Sequence, residues 1–192
     1  MHLDDVEIMR RVQSGQLELF DELVRRYHSP LLHVAWSKLG ERAWAEDVVQ
    51  ETFLAAFSAR ATYKPAFAFR TWIWTILLNL CRRQWQRREA RPREQSLSSL
   101  PLVERAGYHE PVARDTALAQ LVATERRQLV HRALSRLPEA QADALRLRFF
   151  GGLPFSEIAL TMGSSVSGAK QRVKRGLIEL AEQLGETGGD VP

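Results

Sequence analysis

The stretch Pro154–Phe155–Ser156–Glu157–Ile158–Ala159–Leu160–Thr161–Met162–Gly163–Ser164–Ser165–Val166–Ser167–Gly168–Ala169–Lys170–Gln171–Arg172–Val173–Lys174–Arg175 decides the fold reading. Phe155, Ile158, Ala159 and Met162 stand at i, i+3, i+4 and i+7, which is one face of a short helix. Pro154 suits the first turn, where a missing N–H costs nothing. Gly163 stops this helix, and Ser164 or Ser165 caps the next one. That second helix carries an apolar stripe of Val166, Ala169, Val173, Leu177, Leu180 and Leu184. Its other faces show Ser167, Gly168, Lys170, Gln171, Arg172, Lys174 and Arg175. A short helix, a glycine turn and a longer helix with a basic face form the helix-turn-helix pattern, whose second helix enters the major groove of DNA. In that reading Gln171 and Arg172 reach base edges. Lys170, Lys174 and Arg175 hold phosphates. A helical hairpin with a merely solvated basic face fits the same spacing.

Outward from this motif, apolar residues recur at helical spacing throughout and no stretch alternates like a strand. The pattern predicts helices over 4–13, 16–39 with a bend near Pro30, 42–59, 69–88, 115–136, 139–149, 154–162 and 165–184. Between residues 89 and 114 the periodicity fails: Pro92, Pro101, Pro111, Gly107 and the Ser96–Ser99 cluster make a linker composition. The expected architecture is all-α, with two small helical domains joined by a flexible linker, the C-terminal one a helix-turn-helix. The boundaries are 1–90 for the first domain, 91–114 for the linker, 115–185 for the second domain and 186–192 for a frayed tail. A tail this short argues against an added C-terminal regulatory domain. Two domains of this size sit near the lower limit for an independent core and must be compact.

The chain has 192 residues and a net charge of +4, with an isoelectric point near 9.6. Lysine stands only at Lys38, Lys64, Lys170 and Lys174, so the positive charge is nearly all arginine. Arginine forks onto phosphates and stacks on bases, which suits a nucleic-acid partner. Cys81 is the single cysteine, which excludes an intrachain disulfide and a cysteine-rich zinc site. It reads as a small packed residue, with a redox sensor as the alternative. The histidines His2, His28, His33, His109 and His131 form no metal-binding spacing, and no phosphate-cradling glycine loop occurs. Adjacent acids such as Asp4–Asp5 and Glu46–Asp47 diverge around a helix. No catalytic residue, metal, cofactor or small-molecule substrate is therefore expected. The acidic start lacks a basic-then-apolar signal, and the apolar run near Trp72–Leu80 is too short to span a bilayer. A cytoplasmic location is expected.

Two helices of the N-terminal half carry distinct faces. In the helix over 42–59, Ala45, Val49, Phe53 and Ala56 form the inward stripe, while Asp47, Gln50, Glu51 and Leu54 share the opposite side. That side is either a solvated acidic face or a partner surface with one apolar anchor. In the helix over 69–88, Ile73, Ile76, Leu77 and Leu80 pack inward. Asn79, Arg82, Arg83, Gln86 and Arg87 line another face, which Arg88, Arg91 and Arg93 extend. Arginines beside aromatics suit a backbone contact next to exposed bases. The alternative is that Trp72 and Trp74 are simply core residues, which is the favoured reading for Trp72.

A family resemblance ties these faces together. Leu137–Pro138–Glu139, Ala144–Leu145–Arg146–Leu147–Arg148–Phe149–Phe150–Gly151–Gly152 and Phe155–Ser156–Glu157–Ile158–Ala159 resemble region 4 of sigma-70-type factors. Ala45–Glu46–Asp47–Val48–Val49–Gln50–Glu51–Thr52–Phe53–Leu54, with Phe20–Asp21–Glu22–Leu23–Val24–Arg25–Arg26–Tyr27 upstream, resembles region 2 of extracytoplasmic function (ECF) sigma factors. The resemblance implies an alternative sigma factor, a non-enzymatic subunit that recognises promoter DNA and helps to melt it. Its implied partners are promoter DNA and core RNA polymerase, through the clamp helices of the largest subunit and the flap of the second largest. Asp47, Gln50, Glu51 and Leu54 map to the polymerase-docking positions, where carboxylates and an amide meet arginines. Tyr63, Lys64, Phe67, Asn79, Arg82, Arg83 and Arg87 map to the −10 element. The loop 61–68 with Asn79 is the implied pocket for a flipped base. Ser167, Lys170, Gln171, Arg172, Lys174 and Arg175 map to the −35 element.

The match has departures. Ser167–Gly168–Ala169–Lys170–Gln171–Arg172 stands where the family often has Gly-Thr-Val-Lys-Ser-Arg, so no −35 sequence preference carries over. Arg83 and Trp85 replace an Asp and an aliphatic residue. The family also implies regulation by an anti-sigma factor. A free-standing helix-turn-helix regulator is the alternative, and it would not need the Asp47–Gln50–Glu51 face.

Overall fold

The computed structural model describes residues 3–65, 68–89, 125 and 128–187, and among them all regular structure is helical. Helix α1 (Asp5–Gln13) begins where the Asp4 carboxylate accepts a hydrogen bond from the Glu7 N–H at 2.7 Å. Acids fill its first turn and arginines its last, complementing the helix dipole. A short 3-10 turn (Leu17–Leu19) leads into α2 (Phe20–Leu39), so the second predicted helix starts four residues later than its periodicity suggests. Pro30 lies within α2 without ending it. Gly40 closes α2 at φ +77°, its N–H bonded to the Trp36 carbonyl at 2.8 Å. Left-handed backbone is open to glycine at no steric cost.

Helix α3 (Arg42–Ser58) buries Ala45, Val48, Val49, Thr52, Phe53 and Ala56. A second 3-10 turn (Arg60–Thr62) precedes α4 (Phe69–Glu89). Helix α4 buries residues around much of its circumference, among them Phe69, Ile73, Trp74, Leu77, Leu78 and Cys81. It is clasped on two sides, which is why no clean amphipathic stripe is visible in its sequence. One side meets α2 and α3, and the other meets the C-terminal helices.

The C-terminal unit comprises α5 (residues 128–135), α6 (Glu139–Phe149), α7 (Phe155–Thr161) and α8 (Val166–Thr187). Helices α6 and α7 both pack on α8. Pro154 caps α7 from just outside, in extended conformation, and does not sit in its first turn as expected. The predicted linker 91–114 and most of the helix expected over 115–136 lie outside the described residues. The two helical units pack against one another, and their buried apolar residues join into one cluster running from Ile8 to Val173. Helix α2 touches α6, and α4 touches α7.

Candidate nucleic-acid interface

The helix-turn-helix is built from local bonds. Gly163, at φ +58°, turns the chain after α7, and the Ser164 N–H reaches back to the Ala159 carbonyl at 2.8 Å. Of the two serines, Ser165 is the cap: its Oγ accepts from the Gly168 N–H at 3.0 Å. Ala169 and Val173 are buried and Leu180 is partly so. Val166 and Leu177 are not part of the buried stripe; both are about half exposed. The inward line runs instead through Ala169, Val173, Gly176 and Leu180, steps of four, three and four residues that hold one face of a 3.6-residue helix. A Cβ at Gly176 would stand 2.8 Å from Leu145 Cδ1, so the missing side chain is what lets α6 and α8 approach. Leu184 lies where side chains are not described.

Ser167, Lys170, Gln171, Lys174 and Arg175 are exposed along α8. Lys170 Nζ sits 5.9 Å from the Phe155 ring centroid and the Arg148 guanidinium 5.0 Å from it, so cations flank α7 as well. Arg172 differs from its neighbours. It is half-buried, and its Nη1 is enclosed without a hydrogen-bond partner.

On α3, Asp47, Gln50 and Glu51 are exposed, and Leu54 is 60% exposed. An apolar side chain so open beside two carboxylates and an amide has the composition of a partner surface with a single anchor. On α4, Asn79, Arg82, Arg83 and Arg87 are exposed. Arg82 donates to Asn79 Oδ1 at 3.4 Å and lies 3.6 Å from Glu139 Oε1.

The loop before α4 departs from expectation. Tyr63 is only 5% exposed and its ring lies inside an aromatic cluster, 5.2 Å from Trp72 and 6.1 Å from Phe69. Burial pushes its phenol pKa up. Tyr63 is thus a core residue in this conformation, not a surface contact for DNA. Lys64 is exposed, and Phe67 lies outside the described residues. Asn79 lies further along α4. It stands ten residues beyond Phe69, roughly 15 Å along the helix at 1.5 Å per residue. Asn79 opens instead on a cleft of about 320 Å³ lined by Arg82, Glu139, Asp143 and Arg172, among others. Gln13, which no sequence pattern singles out, holds this loop from behind, donating to the Arg60 and Tyr63 carbonyls at 2.8 and 2.9 Å.

The elements are thus an acidic-amide face, an arginine face and a basic helix-turn-helix. Comparison with known proteins settles what carries them. Residues 23–91 match the model for sigma-70 region 2, and residues 127–180 match that for sigma-70 region 4. The RNA polymerase sigma-H factor of Pseudomonas aeruginosa is 31% identical over 178 residues, covering 89% of each chain.

The chain belongs to the sigma-70 family of RNA polymerase sigma factors.

Within it, the likeness extends to the ECF RNA polymerase sigma-E factor of Salmonella typhimurium, 29% identical with 90% of each chain covered. The fold matches that of CnrH, solved in complex with the cytosolic domain of CnrY. The TM-score is 0.73 at 24% identity, covering 95% of this chain and 97% of that one. A sigma factor is a transcription initiation factor and not an enzyme, and its partners are core RNA polymerase and promoter DNA. Among the described residues no helix is long and apolar enough to cross a membrane.

Proposed function

We propose that this ECF sigma factor divides its work among three helices. Helix α3 docks on the polymerase clamp helices through Asp47, Gln50, Glu51 and Leu54. Helix α4 meets the −10 element through Asn79, Arg82, Arg83 and Arg87, with Lys64 beside it. Helix α8 reads the −35 element through Ser167, Lys170, Gln171, Arg172, Lys174 and Arg175, while its own unit rests on the polymerase flap. Residues 1–90 and 115–185 act as the two DNA-reading units, 91–114 as their tether and 186–192 as a tail. Two modest DNA affinities then combine through attachment to one polymerase, in the cytoplasm where that enzyme works. An anti-sigma factor holding these surfaces until a signal arrives completes the scheme. The seating of CnrH against a cytosolic domain supports that form of control.

The observation that carries the reading is the exposed Asp47–Gln50–Glu51–Leu54 face on a helix whose other side is fully packed. A DNA-binding regulator that works alone has no use for it. We expect Asp47→Arg to weaken binding of the full chain to core RNA polymerase by at least roughly tenfold, the scale of removing one charge-assisted hydrogen bond and adding one like-charge repulsion. Lys174→Ala should leave that binding unchanged. Equal binding by wild type and Asp47→Arg in a fluorescence titration against core enzyme would remove α3 from the docking surface.

A further inference from the structure

A cleft of about 320 Å³ lies where α4, α6, α7 and α8 come together. Asn79 and Arg82 line it from α4, Glu139 and Asp143 from α6, Thr161 from α7 and Arg172 from α8. Its two carboxylates are already engaged. Asp143 is 2% exposed, and its oxygens accept from Lys38 Nζ at 2.7 and 2.8 Å and from Arg146 Nη1 at 3.2 Å. Glu139 Oε1 accepts from Lys38 Nζ at 2.9 Å and lies 3.6 Å from Arg82 Nε.

The donors are not engaged in the same way. Thr161 is 8% exposed, and its Oγ1 has no hydrogen-bond partner among the described residues. The same is true of Arg172 Nη1, which is also enclosed. Asn79 accepts from Arg82 through Oδ1 at 3.4 Å and keeps its NH2 as a donor. Buried polar atoms in native folds nearly always have partners. Two such atoms on residues that line one cleft mark a place fitted to an acceptor.

Charge makes that acceptor an anion. Lys38, Arg82, Arg146 and Arg172 gather around Glu139 and Asp143, four cations against two carboxylates. Two positive charges in this set lack a counter-charge, in a place where burial weakens screening by salt. Shape then selects the class of anion. A carboxylate is planar and offers two oxygens on one charge. A phosphate group carries about −1.5 to −2 at pH 7 and offers three strong acceptor oxygens. Donors that arrive from α4, α7 and α8 come from three directions and suit the phosphate. Leu78, Ala140 and Met162 add an apolar margin. Ligand sites begin at about 300 Å³, so the space suits a head group with a small substituent.

We propose that this cleft is a phosphate-binding site, in which Arg172, Thr161 and the Asn79–Arg82 pair hold phosphate itself or the head group of a small phosphate ester. The site follows from the cleft and stands whether or not α4 and α8 contact DNA.

The test is calorimetric titration of the full chain with inorganic phosphate, phenyl phosphate and benzoate, at one ionic strength set with sodium chloride. Thr161→Val removes the orphan hydroxyl and keeps shape and charge. Since that hydroxyl makes no bond in the free chain, the variant should be at least as stable as wild type without phosphate. Arg172→Gln removes the orphan guanidinium. Arg10→Gln makes the same charge change at an exposed site on α1.

We expect one phosphate or phenyl phosphate per chain, with benzoate at least tenfold weaker. Thr161→Val should weaken phosphate binding by about threefold to tenfold, the scale of one neutral hydrogen bond. Arg172→Gln should weaken it by at least roughly tenfold, as for a charge-assisted bond, and Arg10→Gln should leave it unchanged. Should Arg172→Gln fail to fold, Thr161→Val decides alone. Tighter binding of phenyl phosphate than of phosphate upholds the site and identifies an ester as its occupant; the reverse upholds it and identifies free phosphate. No one-to-one binding of either overturns the site, as does binding that Thr161→Val leaves intact. Benzoate binding as tightly as phenyl phosphate overturns the assignment to phosphate.

Discussion

Cys81 shows how one residue's chemistry follows from its place. It has no exposed surface, and burial pushes its thiol up to about 12, with Lys38, Asp143 and Arg146 close enough to affect it. At pH 8 a thiol with that pKa is ~10⁻⁴ ionised, against about a quarter for a free cysteine. Alkylation by iodoacetamide at pH 8 is therefore expected to be about 10³-fold slower in the native chain than in urea. Reaction at the free rate would contradict both the burial and any inert role, and would revive a redox function. At the same scale, Lys38, Asp143 and Arg146 are not legible as a group from sequence. The signal is present in part. Lys38 extends the inward line Leu31, Val34, Ala35 of α2, and Asp143 and Arg146 interrupt the apolar run Ala142–Leu147. Charges at inward positions need partners, but no local pattern joins residue 38 to residue 143, because that pairing exists only once the units meet. Tyr63 departs from expectation for the converse reason: a loop aromatic reads as exposed until Phe69 and Trp72 are seen to enclose it.

Among the elements, the helices are largely legible because apolar spacing and punctuation agree. The helix-turn-helix follows from four apolar residues, Gly163 and a serine cap, and the structure supplies each. The inward line of α8 is harder to read because Leu177 is apolar and Gly176 is not an obvious core residue. Packing chose the glycine for its absence of side chain. Gly176→Val is expected to destabilise the fold by ~1–3 kcal/mol, the usual cost of forcing methyl groups into a filled contact, while Leu177→Ala, at a half-exposed site, should cost less. Urea unfolding followed by circular dichroism checks the order. A Gly176→Val chain as stable as wild type would show that Leu145 moves aside freely. Helix α4 is legible as a helix but not as a sandwiched one. Its buried residues serve two neighbours, and a sequence window sees only their sum.

At the scale of the whole molecule, the sequence discloses two helical units in order, with an irregular segment between. It does not disclose that they close on each other, since contact between units leaves no periodicity to read. Closure explains how one chain can carry exposed docking residues on α3 while Asn79, Arg82 and Arg172 turn toward a shared cleft. The central claim is initiation at promoters, with residues on three helices sharing the task. Its most direct test is reconstituted transcription. Purified core RNA polymerase is mixed with the full chain and fragmented genomic DNA from its source, and the new RNA 5′ ends are sequenced. The expected result is a set of start sites that depend on the chain, that share two upstream elements at constant spacing, and that Asp47→Arg suppresses. No chain-dependent starts, together with firm DNA binding by the chain in the absence of polymerase, would contradict it.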